Sequence, residues 1–139
     1  MRFIIILFTI LSSIYGSSIG TITSGKMDRF EHAYALVTRG DKVITVENLG
    51  FKIKKNDTIK TFRKSKLKIT LKDNTVIKIG KKTTLKIEKY LYDVNNGSNN
   101  IANLKVENGT FQIKTGKIGS SSPRNFKIKT KFSTIGLRG

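Results

Sequence analysis

The segment LKITLKDNTVIKIGKKTTLKIEKYLYD, residues 67–93, already contains the plan of the chain. Leu67, Ile69 and Leu71 alternate with Lys68, Thr70 and Lys72, a period of two that puts an apolar row on one side of a strand and a polar row on the other. Asp73-Asn74 interrupts the pattern with residues that tolerate positive φ. Alternation resumes over residues 76–79, which predicts a tight hairpin or a corner between successive strands. Another turn, Gly80-Lys81-Lys82, leads to Leu85, Ile87 and Tyr90-Leu91-Tyr92, where alternation sets the two tyrosines opposite Leu91. No catalytic constellation sits in this segment.

The same cadence extends in both directions. Towards the N-terminus, β-type segments are expected at 19–23, 33–38, 43–46, 51–54 and 58–62, separated by turns at Ser24-Gly25, Arg39-Gly40-Asp41, Asn48-Leu49-Gly50 and Asn56-Asp57. Phe30, Tyr34 and Val37 recur at helical steps, but the turn that follows favours the strand. Towards the C-terminus, residues 95–100 (NNGSNN) form a polar loop. Strands at 101–106 and 110–114 flank Asn108-Gly109, which has hairpin chemistry. Gly116 to Gly119 reads as a turn, residues 120–123 as a loop, and alternation returns in Phe126, Ile128, Thr130 and Phe132 before the final 134–139. Around ten short strands at this spacing predict an all-β domain, and sandwich, barrel and β-solenoid all satisfy the pattern.

At 139 residues the chain is long enough for one domain with a modest core. Residues 1–18 read as a secretory signal peptide: Met1-Arg2, an apolar run over 3–11, then small and polar residues, with cleavage after Ser18. The apolar run is shorter than the roughly 20 residues that span a bilayer. The expected mature domain is therefore 19–139, exported to the periplasm or secreted, with no transmembrane span. There are no cysteines, so disulfides and thiolate chemistry are absent.

The strongest compositional signal is charge. Lys+Arg number 27 against 9 Asp+Glu, a formal net charge of +18, which would attract polyanions at low salt. Lysines fall on every strand, Arg is scarce, and the aromatics sit mostly at inward positions, Tyr90 and Tyr92 excepted. That is not the interleaving that lets bases stack while phosphates are neutralised, so nucleic acid is the disfavoured polyanion. Asp28, Glu31 and the single His32 could share a helical face, yet a metal site needs further converging ligands. Residues 109–117 superficially resemble a phosphate loop, but six residues separate the glycines and Ile118 replaces the hydroxyl residue. No serine lies in a Gly-flanked elbow. The expectation is a protein that is not an enzyme and has no cofactor.

Landmarks spread along the mature chain resemble those of the FecR-domain family of bacterial envelope proteins. They are Gly20-Thr21-Ile22, Val37-Thr38-Arg39-Gly40, Asn56-Asp57-Thr58-Ile59-Lys60-Thr61, Leu71-Lys72-Asp73-Asn74-Thr75, Lys86-Ile87 with Tyr90-Leu91-Tyr92-Asp93, Gly109-Thr110-Phe111, Phe126-Lys127-Ile128-Lys129-Thr130 and Thr134-Ile135-Gly136-Leu137-Arg138-Gly139. The resemblance implies an all-β periplasmic domain, a twisted β-helix, with Arg39, Gly40, Asp57, Thr61, Asp73, Asn74, Gly109, Gly136, Arg138 and Gly139 as structural or interaction residues. Asp73-Asn74 stands where relatives usually have Asp-Gly, and 25–32 looks longer than the usual connection. Members of the type that gave the name pass a signal from an outer-membrane transporter to a sigma factor. The reading of 1–18 as a signal peptide leads to the expectation of a stand-alone envelope module, with neither the cytoplasmic segment nor a membrane helix beyond that peptide.

The resulting expectation is an exported FecR-like domain acting by protein-protein interaction or signalling with an unidentified envelope protein. The competing expectation is binding of an anionic polymer such as lipopolysaccharide, acidic glycan or nucleic acid.

Overall fold

Alternating Ile/Leu and Lys/Thr residues become twelve strands among the residues described by the computed structural model, 18–131 and, for the backbone alone, 134–136. These are β1 (Gly20–Lys26), β2 (Ala35–Arg39), β3 (Lys42–Val46), β4 (Lys52–Ile53), β5 (Thr58–Thr61), β6 (Lys66–Leu71), β7 (Val76–Ile79), β8 (Thr84–Leu91), β9 (Ile101–Val106), β10 (Phe111–Lys114), β11 (Phe126–Thr130) and β12 (Thr134–Gly136). The expected leader lies outside the described residues apart from Ser18, as do Arg138 and Gly139.

The strands form two sheets, a five-stranded one in the order β10-β7-β6-β1-β4 and a seven-stranded one in the order β12-β11-β9-β8-β5-β2-β3. Neither closes into a barrel. The all-β expectation holds. Pairing is antiparallel throughout except between β9 and β11, so no ladder of stacked parallel coils organises the described residues. Instead the chain passes back and forth between the sheets, which enclose one core. From the five-stranded sheet come Ile22, Ile53, Leu67, Ile69, Leu71, Ile77 and Ile79, and from the other Val37, Ile59, Leu85, Ile87, Leu104 and Phe126. Each fully buried aliphatic side chain stabilises by about 1.5–3 kcal/mol.

Local chemistry follows the sequence closely in the central hairpin. β6 and β7 pair with Ile69 opposite Ile77, and Asn74 in the intervening turn takes φ +69°, the left-handed region Asn tolerates. Elsewhere the structure differs. β1 runs through Ser24-Gly25 to Lys26, because a register shift between Ile22 and Ser24 absorbs the irregularity without ending the pairing with β6. Asn108-Gly109 does not close a hairpin: β9 belongs to the seven-stranded sheet and β10 to the five-stranded one, so this turn carries the chain across the core. Residues read as a turn at 116–119 mostly lie in a short helix, α1 (Lys117–Ser121).

The tyrosines show why alternation alone misleads. With strict alternation from Leu85 and Ile87, Leu91 would face inward and Tyr90 outward. A bulge at Glu88, between the Ile87–Leu104 and Lys89–Asn103 pairs, adds one residue to β8 and inverts the phase. Tyr90 is therefore buried at 6% exposure, while Leu91 is 51% exposed. In urea denaturation, Ile87→Ala is expected to cost about 2–5 kcal/mol. Leu91→Ser should change stability by no more than about 0.5 kcal/mol. A large loss with Leu91→Ser would contradict the inverted phase.

Candidate functional site

The resemblance residues are concentrated in three buried polar clusters, and each cluster ties one sheet to the other. The first lies where β2 ends. Asp57, fully buried, receives a forked pair of hydrogen bonds from Arg39, Nε to Oδ1 at 2.9 Å and a terminal nitrogen to Oδ2 at 2.8 Å. The Lys54 N–H also donates to Asp57 (2.8 Å), and Arg39 donates to the Lys52 carbonyl on β4 (3.1 Å). Arg39 also sits 5.5 Å from the centroid of the Phe51 ring. The hydrogen bond to Asp57 raises the Arg39 pKa against the opposing effect of burial, so the cation is secure. Gly40 follows at φ +61°, turning the chain into β3.

The second cluster is built from threonines. Thr61 Oγ1 donates to the Gly80 carbonyl (2.6 Å) and accepts from the Thr83 N–H (2.8 Å). Thr83 Oγ1 accepts from the Thr110 N–H (3.1 Å). Gly109 adopts φ +89° beside Thr83, whose Cα is 2.7 Å from where a Cβ on residue 109 would stand. Both the left-handed backbone and the close approach therefore demand glycine.

Asp73 is the centre of the third cluster and has no exposure. Its carboxylate accepts from Tyr90 Oη (2.7 Å), Thr75 Oγ1 (2.8 Å) and the Ile118 N–H (3.0 Å). Its own N–H donates to Tyr90 Oη (3.0 Å), and its carbonyl accepts from the Lys117 N–H (2.8 Å). Gly116 packs so tightly on this turn that a Cβ there would fall 2.6 Å from the Asn74 carbonyl carbon. Burial, then the hydrogen bond to Asp73, push the Tyr90 phenol far above its ordinary value, so it remains a neutral donor.

The structure thus brings Arg39 to Asp57, Thr61 to Gly109 through Thr83, and Asp73 to Asn74 within one turn. Gly136 pairs with Lys127 along the β11–β12 ladder, far along the sheet order from Arg39. Sequence reasoning missed Tyr90, Thr75, Thr83 and Gly116 as partners. The only available signals were hydroxyls placed two residues after Asp73 and next to predicted turns.

Asp28 is a further buried acid. Its carboxylate accepts from the N–H groups of Phe30 (2.9 Å), Glu31 (3.2 Å) and Lys64 (2.9 Å), so three backbone donors engage it. Burial raises its pKa, but the three hydrogen bonds and the Lys64 charge outweigh that and hold it below the usual carboxylate value. Among the described residues no group of three or more His, Asp or Glu side chains is arranged to hold a metal ion.

A family model described as FecR protein matches residues 57–139, well over half of the chain. The chain belongs to the FecR protein family. Membership points to a signalling-related role in the bacterial cell envelope. No curated protein matches the chain, and no solved structure does. The match to the FecR family begins at Asp57, yet Arg39 precedes it and β1 lies between β6 and β4, so the FecR segment is knitted into the preceding strands. Among the described residues no helix is long and apolar enough to cross a membrane.

Removing one partner of a buried ion pair leaves the other uncompensated, so Arg39→Ala should cost about 3 kcal/mol, the lower end for a pair whose cation is partly exposed. Tyr90→Phe should cost about 1–3 kcal/mol by stripping partners from the buried Asp73. Both are measured by chemical denaturation. For Asp28 the folded pKa is depressed, so its contribution is complete above the unfolded value of about 3.9 and is lost as pH falls through the folded value. Asp28→Asn should flatten the acid limb of the stability–pH curve below about pH 4. An unchanged limb would show that these hydrogen bonds do not stabilise the carboxylate.

Proposed function

We propose that this FecR domain is an exported, non-enzymatic interaction module of the bacterial envelope, delivered by the leader at 1–18 and acting on an envelope protein through exposed strands and loops. The family match carries this reading. It is supported by what the buried polar residues do: Asp28, Asp57 and Asp73 are each engaged by several internal donors, which is the arrangement of a scaffold.

Exposed apolar residues mark the contact. β3 pairs only with β2 among the described strands, and its Val43 is 63% exposed, so its free edge can accept a partner strand. Phe30 and Val94, at 80% and 78% exposure, stand on loops. Surrounding lysines steer encounter and discourage self-pairing of the edge.

A photo-crosslinking residue placed at Val43, Phe30 or Val94 in growing cells should trap a discrete envelope protein from at least one site. Absence of a discrete product from all three sites, or hydrolysis by the purified domain that one Ser or His substitution abolishes, would overturn this function.

A further inference from the structure

Whereas the seven-stranded sheet has Glu88 on β8 and Glu107 directly after β9, the strands of the five-stranded sheet, β1, β4, β6, β7 and β10, contain no Asp or Glu. Their lysines are set against one another. Lys68 on β6 lies directly opposite Lys78 on β7, and Lys66 lies opposite Lys26 on β1. Like charges directly opposite across strands destabilise a sheet. None of the ion pairs between described residues uses these four lysines. On the seven-stranded sheet Lys105 likewise lies opposite Lys86 and Lys129, but there Lys105 and Lys129 have Glu107 and Glu88 within 3.4 and 3.5 Å.

Two adjoining clefts lie over this lysine-rich face. The larger, about 610 Å³, is lined by Lys66, Lys68 and Lys78 with Ser24, Thr110 and Gln112 among its polar groups. The smaller, about 340 Å³, shares Lys66 and Gly80 with it and adds Lys26, Arg63, Lys64 and Lys81. Neither cleft is lined by a carboxylate. The positive charge is therefore arranged as a track along the two clefts, with Lys68 half-buried and the other cations exposed.

We propose that this track binds a linear, oxyanion-bearing polysaccharide. Two joined clefts suit an extended chain better than a single ion. Lysine ammonium groups neutralise repeated oxyanions as point charges, and Ser24, Thr110 and Gln112 offer partners for sugar hydroxyls. Phe111, half-buried, is the one aromatic lining either cleft, which offers little for base stacking. This site is separate from the β3 edge and does not depend on the protein-partner reading.

The test uses the mature domain, a fluorescently labelled heparin oligosaccharide and anisotropy across a salt series. Lys68→Gln/Lys78→Gln and Lys26→Gln/Lys66→Gln should each weaken binding about fivefold or more and reduce the salt slope by about 1–2. Lys86→Gln/Lys127→Gln, an equal loss of charge on the other sheet, should weaken it less than about twofold. Thermal melts of the Gln variants should match or exceed the parent, because repulsion between opposed lysines is relieved. Equal weakening by all three pairs, no binding of the oligosaccharide, or tighter binding to oligo-thymidine or phosphatidylglycerol vesicles would overturn the proposal.

Discussion

A carboxylate removed from water must be hydrogen-bonded on every side, and Asp73 meets that demand by drawing three distant segments together. Its own turn joins β6 to β7, Tyr90 comes from β8 in the other sheet, and the N–H groups of Lys117 and Ile118 open the short helix α1. Two sheets held only by apolar side chains could slide at modest cost. A buried carboxylate with this many directional partners admits one register. Arg39–Asp57 and the Thr61–Thr83–Thr110 chain apply the same constraint at other points where the chain changes sheets.

This internal use of acid shapes the exterior. Asp28, Asp57 and Asp73 are buried and Lys+Arg outnumber Asp+Glu by 27 to 9, so the surface is more one-sided than the composition alone suggests. The remaining acids are not evenly spread. Glu88 and Glu107 temper the seven-stranded sheet, while the strands of the five-stranded sheet contain none. A fold can carry opposed lysine pairs at a small cost in stability, and that cost is recovered when an anionic partner lies between them.

Much of the scaffold is legible in the sequence because local chemistry and burial agree there. Leu67, Ile69 and Leu71, the Asp73-Asn74 turn, and residues 76–79 behave as their alternation requires. Tyr90 was not legible, because a bulge at Glu88 leaves no composition signal yet reverses every side chain after it. Nor was the crossing at Asn108-Gly109, since a turn sequence specifies a left-handed backbone and not which sheet receives the next strand. The polar clusters join residues as far apart as Asp73 and Ile118, a relation that only the folded chain creates.

Native-state hydrogen exchange at Lys117 and Ile118 tests most directly whether the Asp73 cluster binds the two sheets into one cooperative unit. Both amides donate to Asp73 from a five-residue helix that would otherwise fray readily. The account predicts that they exchange only through global unfolding, with the same free energy as the core amides of β6 and β8. Exchange through a local opening of much lower free energy, with β6 and β8 still protected, would contradict it.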